Sequence, residues 1–214
     1  MFIRTKTLLA TSVALCGLML WSQESQAGFF ADRAAWVASV SGYADVDLSV
    51  IPDGTILPAG TPIALPSGKT LSFGDTVERR QVPSSWATWS GGETPAVLYT
   101  LDDNSVDGRF SKVEKAFGFE MEPNVFSTFL MTLKLKDGTS LTQSVEGFAG
   151  AKFFGWADQA IIGFTATCSS GCGGFAMGRM VEGTAPEPAT LAMAGLGLLG
   201  MGVARRRRNR NTAV

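Results

Sequence analysis

The stretch from Ala116 to Val145 constrains the fold of this chain more than any other. In Ala116-Phe-Gly-Phe-Glu-Met-Glu122 the apolar residues Phe117, Phe119 and Met121 fall on alternate positions, the period of a strand with one buried face. Val125 to Lys136 continues the pattern, with Phe129, Met131, Leu133 and Leu135 inward and Thr128, Thr132, Lys134 and Lys136 outward. Asp137-Gly138 then supplies a hairpin turn, which sets Thr139 to Val145 antiparallel to its predecessor. By the same alternation Glu120 and Glu122 share the opposite, solvent-facing side.

The rest of the body reads as short strands cut by turns. Candidate strands are Tyr43–Ile51, Lys69–Phe73, Thr76–Val82, Ala96–Leu101, Lys152–Trp156, Ala160–Cys168 and Gly174–Val181. Prolines at 58, 62 and 66 remove ladder donors, so that stretch is edge strand or ordered loop. Only Phe29 to Val40 has helical character, with Phe30, Ala34, Val37 and Ala38 near one face and Ser41-Gly42 as a stop. The expected fold is mainly β: an antiparallel sandwich of jelly-roll type, led by one short helix.

The two ends are of another kind. Arg4 and Lys6 precede an apolar run from Leu8 to Leu20, and Ser25-Gln26-Ala27 offers small residues for cleavage after Ala27. Residues 1–27 are therefore expected to be a signal peptide, the body to span 28–185, and a separate tail to follow. That tail places Pro186, Glu187 and Pro188 before an uncharged run from Ala189 to Ala204, then Arg205, Arg206, Arg207, Arg208 and Arg210. As a helix the 16 residues of the run extend about 24 Å, near the thickness of a bilayer core. The arginines favour a cytoplasmic end for it.

Removing both ends leaves 11 basic against 17 acidic residues in the body, a net charge of −6. Such a surface lacks the basic stripe that binds a phosphate backbone, so nucleic acid is excluded as a partner. Cys168 and Cys172 are the two cysteines of the body. In an oxidising compartment they are expected to close a small disulfide loop.

The chain contains no histidine, which removes Ser-His-Asp and Cys-His catalysis and leaves no zinc site. No cofactor is expected. Asp102, Asp103, Asn104 and Asp107, and the group Asp45, Asp47 and Asp53, are oxygen-rich, but Val106 breaks the ligand order of a calcium loop. They read as polar turn residues. Glu120 and Glu122 lie two strand steps apart, about 7 Å, a spacing permissive of glycoside hydrolysis. Trp86 and Trp89 stand on a proline-bracketed loop, where indole rings could stack on sugar faces or could equally cover the end of the core, as expected for Trp36 and Trp156.

The order of Pro186-Glu187-Pro188, apolar helix and arginine cluster resembles the PEP-CTERM sorting signal of exported bacterial proteins, placed here at residues 186–210. The body resembles theirs more loosely, through Phe30-x-x-Arg33-Ala-Ala-Trp36, the Phe117/Phe119 strand and Phe153-Phe154-Gly155-Trp156. In place of the aromatic-rich Ile-Asp-Asn strand frequent before such tails stands Phe175-Ala-Met-Gly-Arg-Met180. The resemblance implies export by the secretory machinery and handling by an exosortase-type membrane protease, with the inner membrane as a transient station. It further implies a lectin-like sandwich and release to the cell surface or extracellular matrix. The reading is a non-enzymatic exported protein of adhesive, structural or polysaccharide-contacting role. The competing readings are a glycan hydrolase using Glu120 and Glu122, and a permanently anchored inner-membrane protein.

Overall fold

The computed structural model describes residues 28–185. Among them the chain forms β1 (Gly28–Phe30), α1 (Arg33–Ser39), β2 (Gly42–Asp45), β3 (Ile56–Leu57), β4 (Ile63–Ala64), β5 (Thr70–Phe73) and β6 (Val77–Gln81). There follow β7 (Ala96–Tyr99), β8 (Ser105–Pro123), β9 (Thr128–Leu135), β10 (Ser140–Glu146), β11 (Lys152–Cys168) and β12 (Phe175–Thr184). The signal peptide and the membrane run expected at the two ends lie outside the described residues. Within 28–185 no helix is long and apolar enough to cross a membrane.

Two long strands organise everything else. β8 has 19 residues and β11 has 17, and they pair antiparallel from Lys152↔Met121 to Thr167↔Ser105. Their register shifts between Ala157 and Gly163, and this bulge bends both strands into two halves. The first half of β8, with the second half of β11, carries β5 and β4 on one side and β9 and β10 on the other. The second half of β8, with the first half of β11, carries β1 on one side. On its other side it carries β12, then β7 and β2 end to end, and beyond β7 come β6 and β3. One hydrogen-bonded sheet thus folds over at a corner and becomes the two layers of a sandwich.

Ring contacts across the layers prove the folding-over. Phe110 of one half meets Phe117 and Trp156 of the other with centroids 5.1 and 5.8 Å apart, and Phe164 meets Phe119 at 5.1 Å. Leu71, Phe73, Met131, Leu133, Leu135, Met121, Phe175 and Met177 fill the same core. Such interdigitation of two inward faces is what alternate apolar residues produce once a second layer is available. Phe117, Phe119 and Met121 point inward as the alternation predicts, and the Asp137-Gly138 turn joins β9 to β10 with Leu141 opposite Leu133.

The structure revises several boundaries. Tyr43–Ile51 is strand only to Asp45, and the remainder is a loop whose Val46 and Leu48 dip into the core. Lys152–Trp156 and Ala160–Cys168 are one strand that runs on through the corner. Ser105–Lys115 is strand as well, because its inward positions Val106, Gly108 and Phe110 alternate around a glycine. A Cβ at Gly108 would run into the ring of Phe164, so the apolar surface there is supplied by the partner strand. The helix is shorter than Phe29–Val40: Gly28–Phe30 pairs with β11, and Asp32 caps α1 by accepting from the Ala35 N–H at 2.8 Å.

Candidate functional site

The outward face of the second layer holds the acids that the sequence singles out. Glu120 and Glu122 do leave the sheet opposite Phe119 and Met121, but they do not reach solvent: they are 4% and 0% exposed. The loop between β6 and β7 lies over them. From it Trp86 Nε1 donates to Glu122 at 2.9 Å, and Trp89 Nε1 donates to Glu120 at 2.7 Å. Thr88 Oγ1 and the Gly150 N–H also donate to Glu122, both at 3.2 Å. Arg179 completes the set, with Nη1 2.7 Å from Glu120 and Nε 2.6 Å from Glu93.

Two expectations are corrected here. Glu120 and Glu122 are not a solvated pair, because a loop distant in sequence covers their face. Trp86 and Trp89 are not open rings on a loop tip: they are 5% and 1% exposed and pack with Val82, Val97, Tyr99 and Ala176. The indoles turn their apolar faces to this small cluster and their N–H edges to the carboxylates, which satisfies both halves of the side chain.

Burial pushes both carboxyls above the ordinary range, against the indole bonds that favour the ionised form and, for Glu120, against Arg179. Raised carboxyls are what an acid catalyst needs, yet here every oxygen is occupied by a protein donor. A depression of about 430 Å³, lined by Arg33, Gln143, Lys152 and Phe153 among others, reaches only Glu120. The pair fastens the roof of the sheet.

A second acidic group, invisible in the sequence, closes the corner. Glu114 of β8 and Glu182 of β12 are 1% and 6% exposed and face a common lysine, Lys69. Lys69 Nζ lies 2.7 Å from Glu114 and 3.6 Å from Glu182, and Ser67 donates to Glu182 from its hydroxyl at 2.5 Å and its N–H at 2.8 Å. Burial raises Glu114. Glu182 is also desolvated, but the two bonds from Ser67, together with the neighbouring Lys69 charge, hold it below the usual range. These groups line a cleft of about 610 Å³ with Val113, Lys115 and the end of β12. The group ties the β4–β5 turn of one layer to β12 of the other.

The oxygen-rich turns are likewise used internally. Asp107 accepts from Lys136 and Thr165, Asp53 from Ser84 and Ser85, and Asp102 from the Tyr99 hydroxyl. Among the described residues no group of three acids, histidines or cysteines is placed to hold a metal ion. The sulfurs of Cys168 and Cys172 are bonded, with Cα atoms 6.4 Å apart, so the small loop is closed as the spacing predicts.

One surface feature escaped the sequence reading. Phe126 and Phe148 are 59% and 60% exposed, and their rings meet edge to face with centroids 5.4 Å apart. A signal was present: each phenylalanine stands in a turn, one after Pro123-Asn124 and one between Gly147 and Gly150.

β12, the strand from which the tail departs, ends at Thr184 and is paired on both sides, to β8 and, at its far end, to β2. Of solved structures, a mutant of a family 29 carbohydrate binding module is 10% identical with a TM-score of 0.32, covering 68% of this chain and 94% of that one. A family two carbohydrate esterase from Cellvibrio japonicus is 12% identical with a TM-score of 0.19, covering 69% of this chain and 35% of that one. No curated protein matches the sequence. Residues 184–208, which begin on the last residue of β12, match the family model of the PEP-CTERM protein-sorting motif, and the chain therefore carries that motif directly behind its sandwich.

Proposed function

We propose that this chain is an exported, non-enzymatic envelope or matrix protein whose sandwich is delivered by its tail. The observation that carries the reading is the junction at Thr184. β12, paired to β8 and at its far end to β2, ends where the sorting motif begins, so the motif follows directly on a strand of the sandwich. In this reading the secretory machinery carries the chain across the inner membrane, which residues 189–204 span transiently. An exosortase-type protease then reads Pro186, Glu187, Pro188 and the cluster Arg205 to Arg208, and the body passes to the cell surface or extracellular matrix. There it serves adhesion, matrix structure or contact with extracellular polysaccharide. Against the hydrolase reading stand the indoles that occupy Glu120 and Glu122.

Replacing Arg205 to Arg208 by alanine tests the sorting step. The variant is expected to accumulate unprocessed in the membrane fraction. Processing at the wild-type rate would remove the arginines from the signal.

A further inference from the structure

We infer that the exposed pair Phe126 and Phe148 is a stacking platform for a neutral polysaccharide, presented at the end of β12 opposite the one where the sorting motif begins. The inference rests on the export reading and names the ligand class and the site.

The pair is built, not incidental. Phe126 follows a turn tied to the disulfide loop by the Val125 N–H on the Cys172 carbonyl at 3.0 Å and the Asn124 N–H on the Gly174 carbonyl at 3.0 Å. Phe148 follows Gly147, whose N–H bonds the Ser127 carbonyl at 2.9 Å and whose Cα lies so close to the Val125 carbonyl that a Cβ would collide with it. On its far side the Ala149 N–H bonds Thr88 Oγ1 at 3.0 Å. Two loops are thus locked together, and a ring from each is left facing solvent. Rings held this way lose little freedom when a ligand arrives.

The position follows from β12. This strand of ten residues starts at Phe175, beside the turn that carries Phe126, and ends at Thr184, where the sorting motif begins. At about 3.3 Å per residue the two points are roughly 30 Å apart. Only three residues, Pro186, Glu187 and Pro188, separate Ala185 from the apolar run that starts at Ala189. The phenylalanine pair and the start of the sorting motif therefore lie at opposite ends of β12.

Size and charge decide the occupant. Two rings about three-fifths exposed offer roughly 250 Å² of apolar surface, well short of the roughly 800 Å² per side of a stable protein interface. That area suits one or two pyranose rings. Ser127 follows Phe126 in the sequence, while Thr128 already donates to Glu146 at 2.6 Å and Asn124 to the Gly173 carbonyl at 3.0 Å, and Glu146 is the only formal charge in residues 123–128 and 146–150. With no basic group there and a body of net charge −6, the platform suits an uncharged polymer and disfavours an acidic one.

The test is co-sedimentation of the detergent-solubilised full-length protein with insoluble cellulose and β-1,3-glucan, and with calcium-alginate beads as the acidic polymer. Wild type should be retained on a neutral polymer. The double variant Phe126→Ser, Phe148→Ser should lose about ten-fold or more of that retention, with a melting temperature near wild type because both rings are exposed. Undiminished retention of the double variant, retention on alginate alone, or no retention of wild type on any polymer would each overturn the platform. So would a wild-type dimer that the double variant loses, since it assigns the rings to a protein contact. Tail processing of the same double variant in cells is read separately: it stays normal if only the platform is wrong, and it fails with wild type if the export reading is wrong.

Discussion

Trp89 Nε1 donates to Glu120 at 2.7 Å with both side chains buried, and this bond joins a loop to the centre of the second layer. It fixes Glu120 as a fastening acid. Replacing Trp89 by Phe keeps most of the apolar ring and deletes the donor. A hydrogen bond to a buried charged group is worth about 1.5–3 kcal/mol, so urea unfolding of Trp89→Phe should show a loss of that order. A change within error would mean that the roof is held by packing alone.

Glu122 makes a pH prediction with a definite sign. Its carboxyl is raised in the folded protein, chiefly by burial, so in the window above its ordinary value the native state holds more protons than the unfolded one. The stability this group contributes is full below the unfolded value of about 4.3 and is lost as pH rises through the folded value. Glu122→Gln keeps an acceptor for Trp86 and removes the charge. Its melting temperature relative to wild type should therefore climb as pH rises through that window. A difference independent of pH would contradict the raised carboxyl.

Gly118 is needed for a close approach on the outer face. A Cβ there would enter the ring of Phe153, which also lies over Gly155 beside the buried Trp36. Gly118→Ala should cost about 1–3 kcal/mol by overpacking, measured by urea unfolding. No loss would mean that the Phe153 ring moves freely aside.

Opening the disulfide should have a modest effect. A loop closed between Cys168 and Cys172 restrains only a few residues, which the chain-entropy model values at about 2 kcal/mol. The double Cys→Ser variant should stay folded with a loss near that figure under oxidising conditions. Equal stability of variant and wild type would show that the bond does not restrain the unfolded chain.

Residues whose neighbours are local were legible in the sequence. Met131, Leu133 and Leu135 face the core as period two requires, and Gly138 turns the hairpin with φ of 94°. What escaped depends on distant parts of the chain. Alternation places Glu120 and Glu122 on the face opposite Phe119, but which segment covers that face is decided by the return of residues 83–95. The half of β8 from Ser105 to Lys115 hid its strand character because Gly108 leaves its apolar role to Phe164. The meeting of Glu114 and Glu182 at Lys69 joins distant parts of the chain, a contact with no local signature. The tail was the reverse case: its three parts are contiguous, and the motif match at residues 184–208 falls on them.

The central claim is that this sandwich is exported and then parted from its tail, and the intact mass of the protein recovered from the producing cell's surface or medium tests it most directly. The account predicts a mass lacking residues 1–27 and lacking the apolar run and arginine cluster beyond Pro188. A surface protein that retains Arg205 to Arg208 would contradict it.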